Sequence, residues 1–94
     1  MPENLKDFEN PTSYWEYDGP FSVELTDDAD ETIVPPGVEV QGRTVYVREN
    51  GRVKQTMGGI QLRADGQPFY WGYRSMKIIR KGDGTPLWVN WDYR

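Results

Sequence analysis

No stretch of this chain is uniformly apolar for more than three residues; Phe69-Tyr70-Trp71 and Leu87-Trp88-Val89 mark the limit. Ten glycines and seven prolines punctuate the 94 residues, falling between short runs of Val, Ile, Thr, Tyr, Phe and Trp. A membrane-spanning helix needs about 20 consecutive apolar residues, so none is encoded. The punctuation favours strands joined by tight turns. Four tryptophans, six tyrosines and three phenylalanines bury too much surface for a solvated, disordered chain. The expected fold is all-β: six to eight short antiparallel strands in meander order between residues 21 and 93. A small closed or nearly closed barrel of SH3-like or OB-like size is the first choice, with a small two-sheet sandwich as runner-up. Residues 13–94 form a single β domain. Residues 1–12 precede it as an arm or a short helix. Leu5 and Phe8 have helical spacing there, and Asn10-Pro11 would end the helix.

Alternation and turn length predict the pairing. Phe21, Val23 and Leu25 share one face, while Ser22, Glu24 and Thr26 share the other, as in a half-buried strand. Asp65-Gly66 reads as a two-residue type I′ turn that sets Leu62 opposite Phe69 and Ile60 opposite Trp71. Gln41-Gly42 as a turn would set Val38 opposite Val45. Glu49-Asn50-Gly51 as a three-residue loop would set Val47 opposite Val53, with Gly51 at positive φ. Gly58-Gly59 reads as a bend within one strand. The last hairpin turns at Gly82-Asp83-Gly84-Thr85, with Ile79 opposite Trp88 and Ile78 opposite Val89. The expected core is Phe21, Val23, Leu25, Val38, Val45, Val47, Val53, Ile60, Leu62, Phe69, Trp71, Ile78, Val89 and Trp91.

Catalytic options are narrow. The chain has no cysteine and no histidine, which removes thiol nucleophiles, imidazole bases and the Ser-His-Asp arrangement. Carboxylate chemistry remains, but a chain this short has little material for both a core and a substrate cleft. The expectation is no enzyme and no cofactor. Asp27-Asp28-Ala29-Asp30-Glu31 lacks the glycine and distal glutamate of a calcium-binding EF-hand loop, so no metal site is expected. Lys81-Gly82-Asp83-Gly84-Thr85 superficially matches a phosphate loop but has no helix after it. The first ten residues are charged from Glu3 onward and carry no apolar signal segment. A cytoplasmic protein without a membrane is therefore expected.

Charge is divided along the chain. Residues 1–39 carry eleven acids and one base, whereas residues 40–94 carry ten bases and four acids. The two halves either neutralise each other across strands or form separate surfaces for a charged partner. Two functions follow. The first is a non-catalytic protein–protein interaction module, such as an adaptor, an inhibitor or a virion-type accessory protein. It would bind a protein partner, or itself, through Tyr14, Trp15, Tyr17 and an outward Trp88, since aromatics dominate interface energetics. The alternative is nucleotide or single-stranded nucleic-acid binding through Tyr70, Arg74, Lys77, Arg80 and Lys81. In that case Tyr70 would stack a base and the cations would hold phosphates.

Overall fold

The computed structural model describes residues 15–31 and 33–93. Expectations for residues 1–12 and for Tyr14 lie outside the described residues. The fold is all-β, with nine strands among those residues: β1 (Glu16–Asp18), β2 (Phe21–Leu25), β3 (Glu39–Gln41), β4 (Thr44–Val47), β5 (Gly51–Thr56), β6 (Gly59–Ala64), β7 (Gln67–Phe69), β8 (Met76–Lys81) and β9 (Pro86–Val89). Two single 3₁₀ turns, Tyr73–Ser75 and Trp91–Tyr93, complete the described chain. No helix among these residues is long and apolar enough to cross a membrane.

The strands form two antiparallel sheets, ordered β1-β5-β6-β7 and β3-β4-β2-β8-β9. They do not close into one barrel, and the order is not a meander. In the five-stranded sheet β2 is central. It pairs with β4 on one side and with the distant β8 on the other. The inner faces of both sheets feed one hydrophobic cluster. The Phe21 ring of β2 lies parallel to the Phe69 ring of β7, with centroids 6.5 Å apart. Trp71 meets Phe69 edge-on at 5.6 Å.

Some hairpins form as the turn chemistry dictates. Asp65 and Gly66 have φ of 54° and 80°, the double positive of a type I′ turn, and Leu62 faces Phe69. Ile60 is not paired with Trp71, because β7 ends at Phe69. The last hairpin sets Ile79 opposite Trp88 and Ile78 opposite Val89, as expected. Others are corrected. The β3–β4 turn is Gly42-Arg43, so Val40 rather than Val38 faces Val45. Gly58-Gly59 is not a bend in one strand: Met57 and Gly58 form the turn between β5 and β6, and Thr56 faces Gly59.

The largest correction is at Asn50-Gly51. β4 and β5 are not paired at all; residues 48–50 carry the chain from one sheet to the other. Asn50, at φ 53°, takes the left-handed conformation, and Gly51 does not. A glycine is needed at position 51 for a different reason. A Cβ there would stand 2.5 Å from the Gly19 carbonyl oxygen and 2.7 Å from the Phe21 ring.

The core is close to the expected one, with two reversals near the end of the chain, at Trp88 in β9 and at Trp91 in the 3₁₀ turn after it. Trp88 is completely buried, whereas Trp91 is 46% exposed. Trp88 faces Ile79, and Ile79 faces buried Val23 of the central strand, so the Ile79–Trp88 face of the last hairpin turns inward rather than the Ile78–Val89 face. Beyond Val89 the chain leaves the sheet for the turn that holds Trp91. Leu87 is an extra residue between Trp88 and Pro86, which pair with Ile79 and Arg80. It too reaches the interior, because strict alternation fails across such a bulge. Val38 and Ile78 are half-buried, Val89 is likewise intermediate, and Met76 and Ile79 supply the buried positions of β8. The Trp88 indole N–H has no hydrogen-bond partner among the described residues. Burying so large a ring outweighs the cost of that donor, about 1–3 kcal/mol.

Two buried amides hold the periphery. Gln55 accepts from the Trp15 indole N–H, and its backbone N–H donates to the Trp15 carbonyl at 2.9 Å. Asn90 donates to the carbonyls of Tyr73 and Met76 at 2.8 and 3.0 Å and accepts from the Asp92 backbone N–H at 3.1 Å. Asn90 therefore fixes both 3₁₀ turns.

Two substitutions in the same residue type test this core. Trp71→Ala should cost about 3–5 kcal/mol, whereas Trp91→Ala should change stability by less than about 1 kcal/mol. Chemical denaturation measures both; equal losses would contradict the packing. In the same assay Gly51→Ala should destabilise by about 1–3 kcal/mol through overpacking. Gly58→Ala, with only open space and a distant Thr56 hydroxyl nearby, should be close to neutral.

Candidate functional site

β2 and β4 alternate inward apolar and outward side chains, β8 buries Met76 and Ile79, and the register lines up the outward ones. One row across the five-stranded sheet reads Glu39, Tyr46, Ser22, Arg80 and Pro86. The adjacent row reads Gln41, Thr44, Glu24, Ile78 and Val89. Ser22 is the small member of its row. With neighbouring strands about 4.8 Å apart, the backbones carrying Tyr46 and Arg80 stand roughly 10 Å apart across it. The result is a cleft of about 700 Å³ on this outer face. Tyr46 and Arg48 stand on one side, and Ile78, Arg80 and Lys81 on the other. Tyr17, Pro20 and the Gly82–Gly84 turn close one end.

The cleft side chains are held by local interactions. The Arg48 guanidinium lies over the Tyr46 ring at 4.6 Å and donates to Glu39 at 3.1 Å. Such an exposed cation–π contact contributes about 0.5–1 kcal/mol. The hydrogen bond from Arg48, followed by one from Gln41, lowers the Glu39 carboxyl below its ordinary value. Arg80 donates to the Gly84 carbonyl at 3.0 Å, which ties the cation to the closing turn. Asp83 accepts from the Thr85 backbone N–H at 2.9 Å, and that bond lowers its carboxyl. The Lys81 ammonium sits 5.5 Å from the centre of the Tyr17 ring. Positive charge thus gathers at the Arg80–Lys81 end, while Glu24 contributes an acid to the floor.

The sequence-derived candidates are dispersed. Arg80 and Lys81 reach the cleft, and Tyr17 lines its end. Trp15 is half-buried against the core and Gln55. Trp88, expected on the outer face, is instead an interior residue in tilted contact with Tyr73 at 6.1 Å; it is not available to a partner. Tyr70 is 64% exposed but stands outside the cleft, beside Gly59 and Gly72. Lys77 lies 5.8 Å from the Tyr93 ring, and Arg74 is exposed within a 3₁₀ turn. The alternative set therefore does not form one aromatic–basic face. Ser22, Tyr46 and Arg48 were missed. The alternation of Val45 and Val47 already turns Tyr46 outward, but nothing local reveals that β2 and β8 lie beside it.

Opposite charges from the two halves of the sequence meet across strands. Arg52 pairs with Glu16 at 2.6 Å and with Asp18 at 3.5 Å, and Arg48 pairs with Glu39. Each of these pairs joins the acidic half to the basic half. Among the described residues no group of three or more side chains is placed to hold a metal ion. No protein-family model, characterised protein or solved structure matches this chain.

The lowered carboxylates give stability a definite pH dependence. Glu16, Asp28, Glu39 and Asp83 all titrate below their ordinary values in the folded protein. Their contribution is complete above the unfolded carboxylate range and is lost as pH falls through the lowered values. Melting temperature should therefore decline on acidification below about pH 4.5. NMR titration should show Glu16 returning toward its ordinary value of 4.5 in Arg52→Gln, because the Arg52 hydrogen bond is the first cause of its shift. An unmoved Glu16 would refute that cause.

Proposed function

We propose that this protein is a non-catalytic interaction module that binds a protein partner along the outer face of the five-stranded sheet. The observation that carries this reading is the cleft between Tyr46 and Arg80, with Ser22 as its floor and both signs of charge on its lining. An aromatic wall supplies contact area at low entropic cost. Interleaved charges provide register and partner discrimination. The partner is an extended polypeptide segment with an acidic side chain seated at Arg80 and Lys81 and a hydrogen-bond donor toward Glu24. The scaffold is read as a sandwich-type layering of two sheets on a shared core, and the setting as cytoplasmic.

Two features weigh against alternatives. The carboxylates with shifted titration are all lowered, by hydrogen bonds from Arg52, Thr26, Arg48 and the Thr85 backbone, whereas a general acid needs a raised value. For single-stranded nucleic acid, Tyr70 does not line the cleft that Arg80 and Lys81 reach, which weighs against it as the stacking platform beside that charge. Within the cleft, Tyr46 and Tyr17 are aromatic residues that share the lining with those cations.

A displayed library of random peptides tests the reading. Selection on the native protein should enrich acidic sequences whose titration perturbs the amide resonances of Ser22, Tyr46 and Arg80. Tyr46→Ala and Arg80→Gln should each weaken the selected peptide at least about tenfold; the melt should be unchanged in Arg80→Gln and should fall modestly in Tyr46→Ala, which also loses the Arg48 contact. Equal enrichment on the Tyr46→Ala, Arg80→Gln double variant would sink the proposal. Tighter binding of an oligothymidylate than of any peptide would transfer the site to nucleic acid.

A further inference from the structure

The outer face of the four-stranded sheet carries a second feature, independent of the cleft. Parity on β5 turns Arg52 and Lys54 outward, and parity on β6 does the same for Gln61 and Arg63. The register sets Arg52 directly opposite Arg63 and Lys54 directly opposite Gln61. Directly opposed side chains have Cβ atoms about 5 Å apart, and i, i+2 neighbours stand about 7 Å apart. Four hydrogen-bond donors thus occupy the corners of a small rectangle, and these four residues alone line a depression of about 360 Å³.

Like charges directly opposed across strands are destabilising. Arg52 is partly compensated from the edge strand, where Glu16 and Asp18 reach it at 2.6 and 3.5 Å. Glu16 also stands opposite Lys54 in the β1–β5 register, without closing to an ion pair. Among the described residues Arg63 donates to the Gly66 carbonyl, at 3.3 Å, and neither Lys54 nor Arg63 has a carboxylate within ion-pair distance. The acids therefore sit on the β1 edge, and the Arg63 side of the rectangle has no facing carboxylate among the described residues, in a protein whose net charge is -4.

We infer that this rectangle is a binding site for a phosphoryl group of a small phosphorylated anion. A tetrahedral oxyanion offers acceptors in several directions, which suits donors arriving from four corners. Two guanidinium forks match phosphate geometry, and a lysine adds a point charge. A carboxylate has two coplanar oxygens and satisfies one such fork at most; Glu16 reaches Arg52 through a single Oε2–Nη2 contact at 2.6 Å. The Gln61 amide adds a neutral donor that helps orient the group.

Glu16 competes with the ligand for Arg52, and this separates the site from general electrostatic attraction. Inorganic pyrophosphate is the probe, followed by NMR at constant ionic strength. Saturable shifts are expected in the Gln61 side-chain amide and in the Arg52 and Arg63 guanidinium signals. Arg63→Gln should weaken binding at least about tenfold. Glu16→Gln should tighten it several-fold, while Asp92→Asn, which removes the same charge from the Trp91–Tyr93 turn, should leave it unchanged. Both substitutions are at exposed positions and should leave the melt nearly unaltered. The inference is overturned if the shifts do not saturate, if they persist in Arg63→Gln, or if Asp92→Asn tightens binding as much as Glu16→Gln. An oligothymidylate that shifts these signals where pyrophosphate does not would also overturn it, in favour of a nucleic-acid strand.

Discussion

The two sheets are joined where Phe21 lies against the backbone of Gly51. A methyl group at position 51 would enter the Phe21 ring, so β5 approaches β2 more closely there than any other residue would allow. The Gly19 backbone N–H donates to the Gly51 carbonyl at 2.8 Å, which pins the β1–β2 corner to the start of β5. The Asp65 N–H donates to the Asn50 carbonyl at 3.0 Å, and the Asn50 amide donates to the Asp65 carboxylate at 3.1 Å. One corner, one crossing between sheets and one hairpin turn are thus locked together at the same end. Phe21 extends the joint inward by stacking on Phe69. β2 can then serve as the central strand of its sheet, and the outward parity of Ser22 and Glu24 places them on the floor of the cleft.

What the sequence revealed follows the range of the interactions. The alternation in Phe21–Leu25 and the Asp65-Gly66 turn are local, and both are correct. Each is decided by a handful of neighbouring residues, through side-chain parity and backbone φ. The chain organisation is different. Sheet order depends on β2 pairing with β8, more than fifty residues away, and no turn geometry reports that. Asn50-Gly51 shows how a local signal misleads. Asn-Gly is a strong hairpin signal, and here the left-handed residue is present, but at Asn50. The glycine is required by a tertiary contact that only the folded chain displays.

Trp88 fails for a third reason. Both faces of the last hairpin are apolar, Ile78 with Val89 and Ile79 with Trp88, so parity alone does not choose the inward one. The choice is made by β2, whose buried Val23 lies opposite Ile79. Trp88 follows Ile79 inward, and the aromatic surface expected of β9 disappears. The cleft was illegible for the same reason that sheet order was hidden. Tyr46, Ser22 and Arg80 come from three strands whose adjacency is nonlocal, whereas Tyr70, Arg74 and Lys77 are close in sequence and diverge in space.

β1 contributes to both outer surfaces. Its three residues alternate: Glu16 and Asp18 face outward and hold Arg52 at the rim of the basic rectangle, while Tyr17 packs toward the other sheet and lines the end of the cleft beside Lys81. Among the described residues β1 is an edge strand paired with β5 alone. Two kinds of contact hold it there, the exposed ion pairs to Arg52 and the bonds between Trp15 and Gln55. The charge division of the sequence has a use in this arrangement. Acids concentrated before residue 40 supply the edge strand, bases concentrated after it supply the centre of the sheet, and their pairing holds the edge without filling the interior.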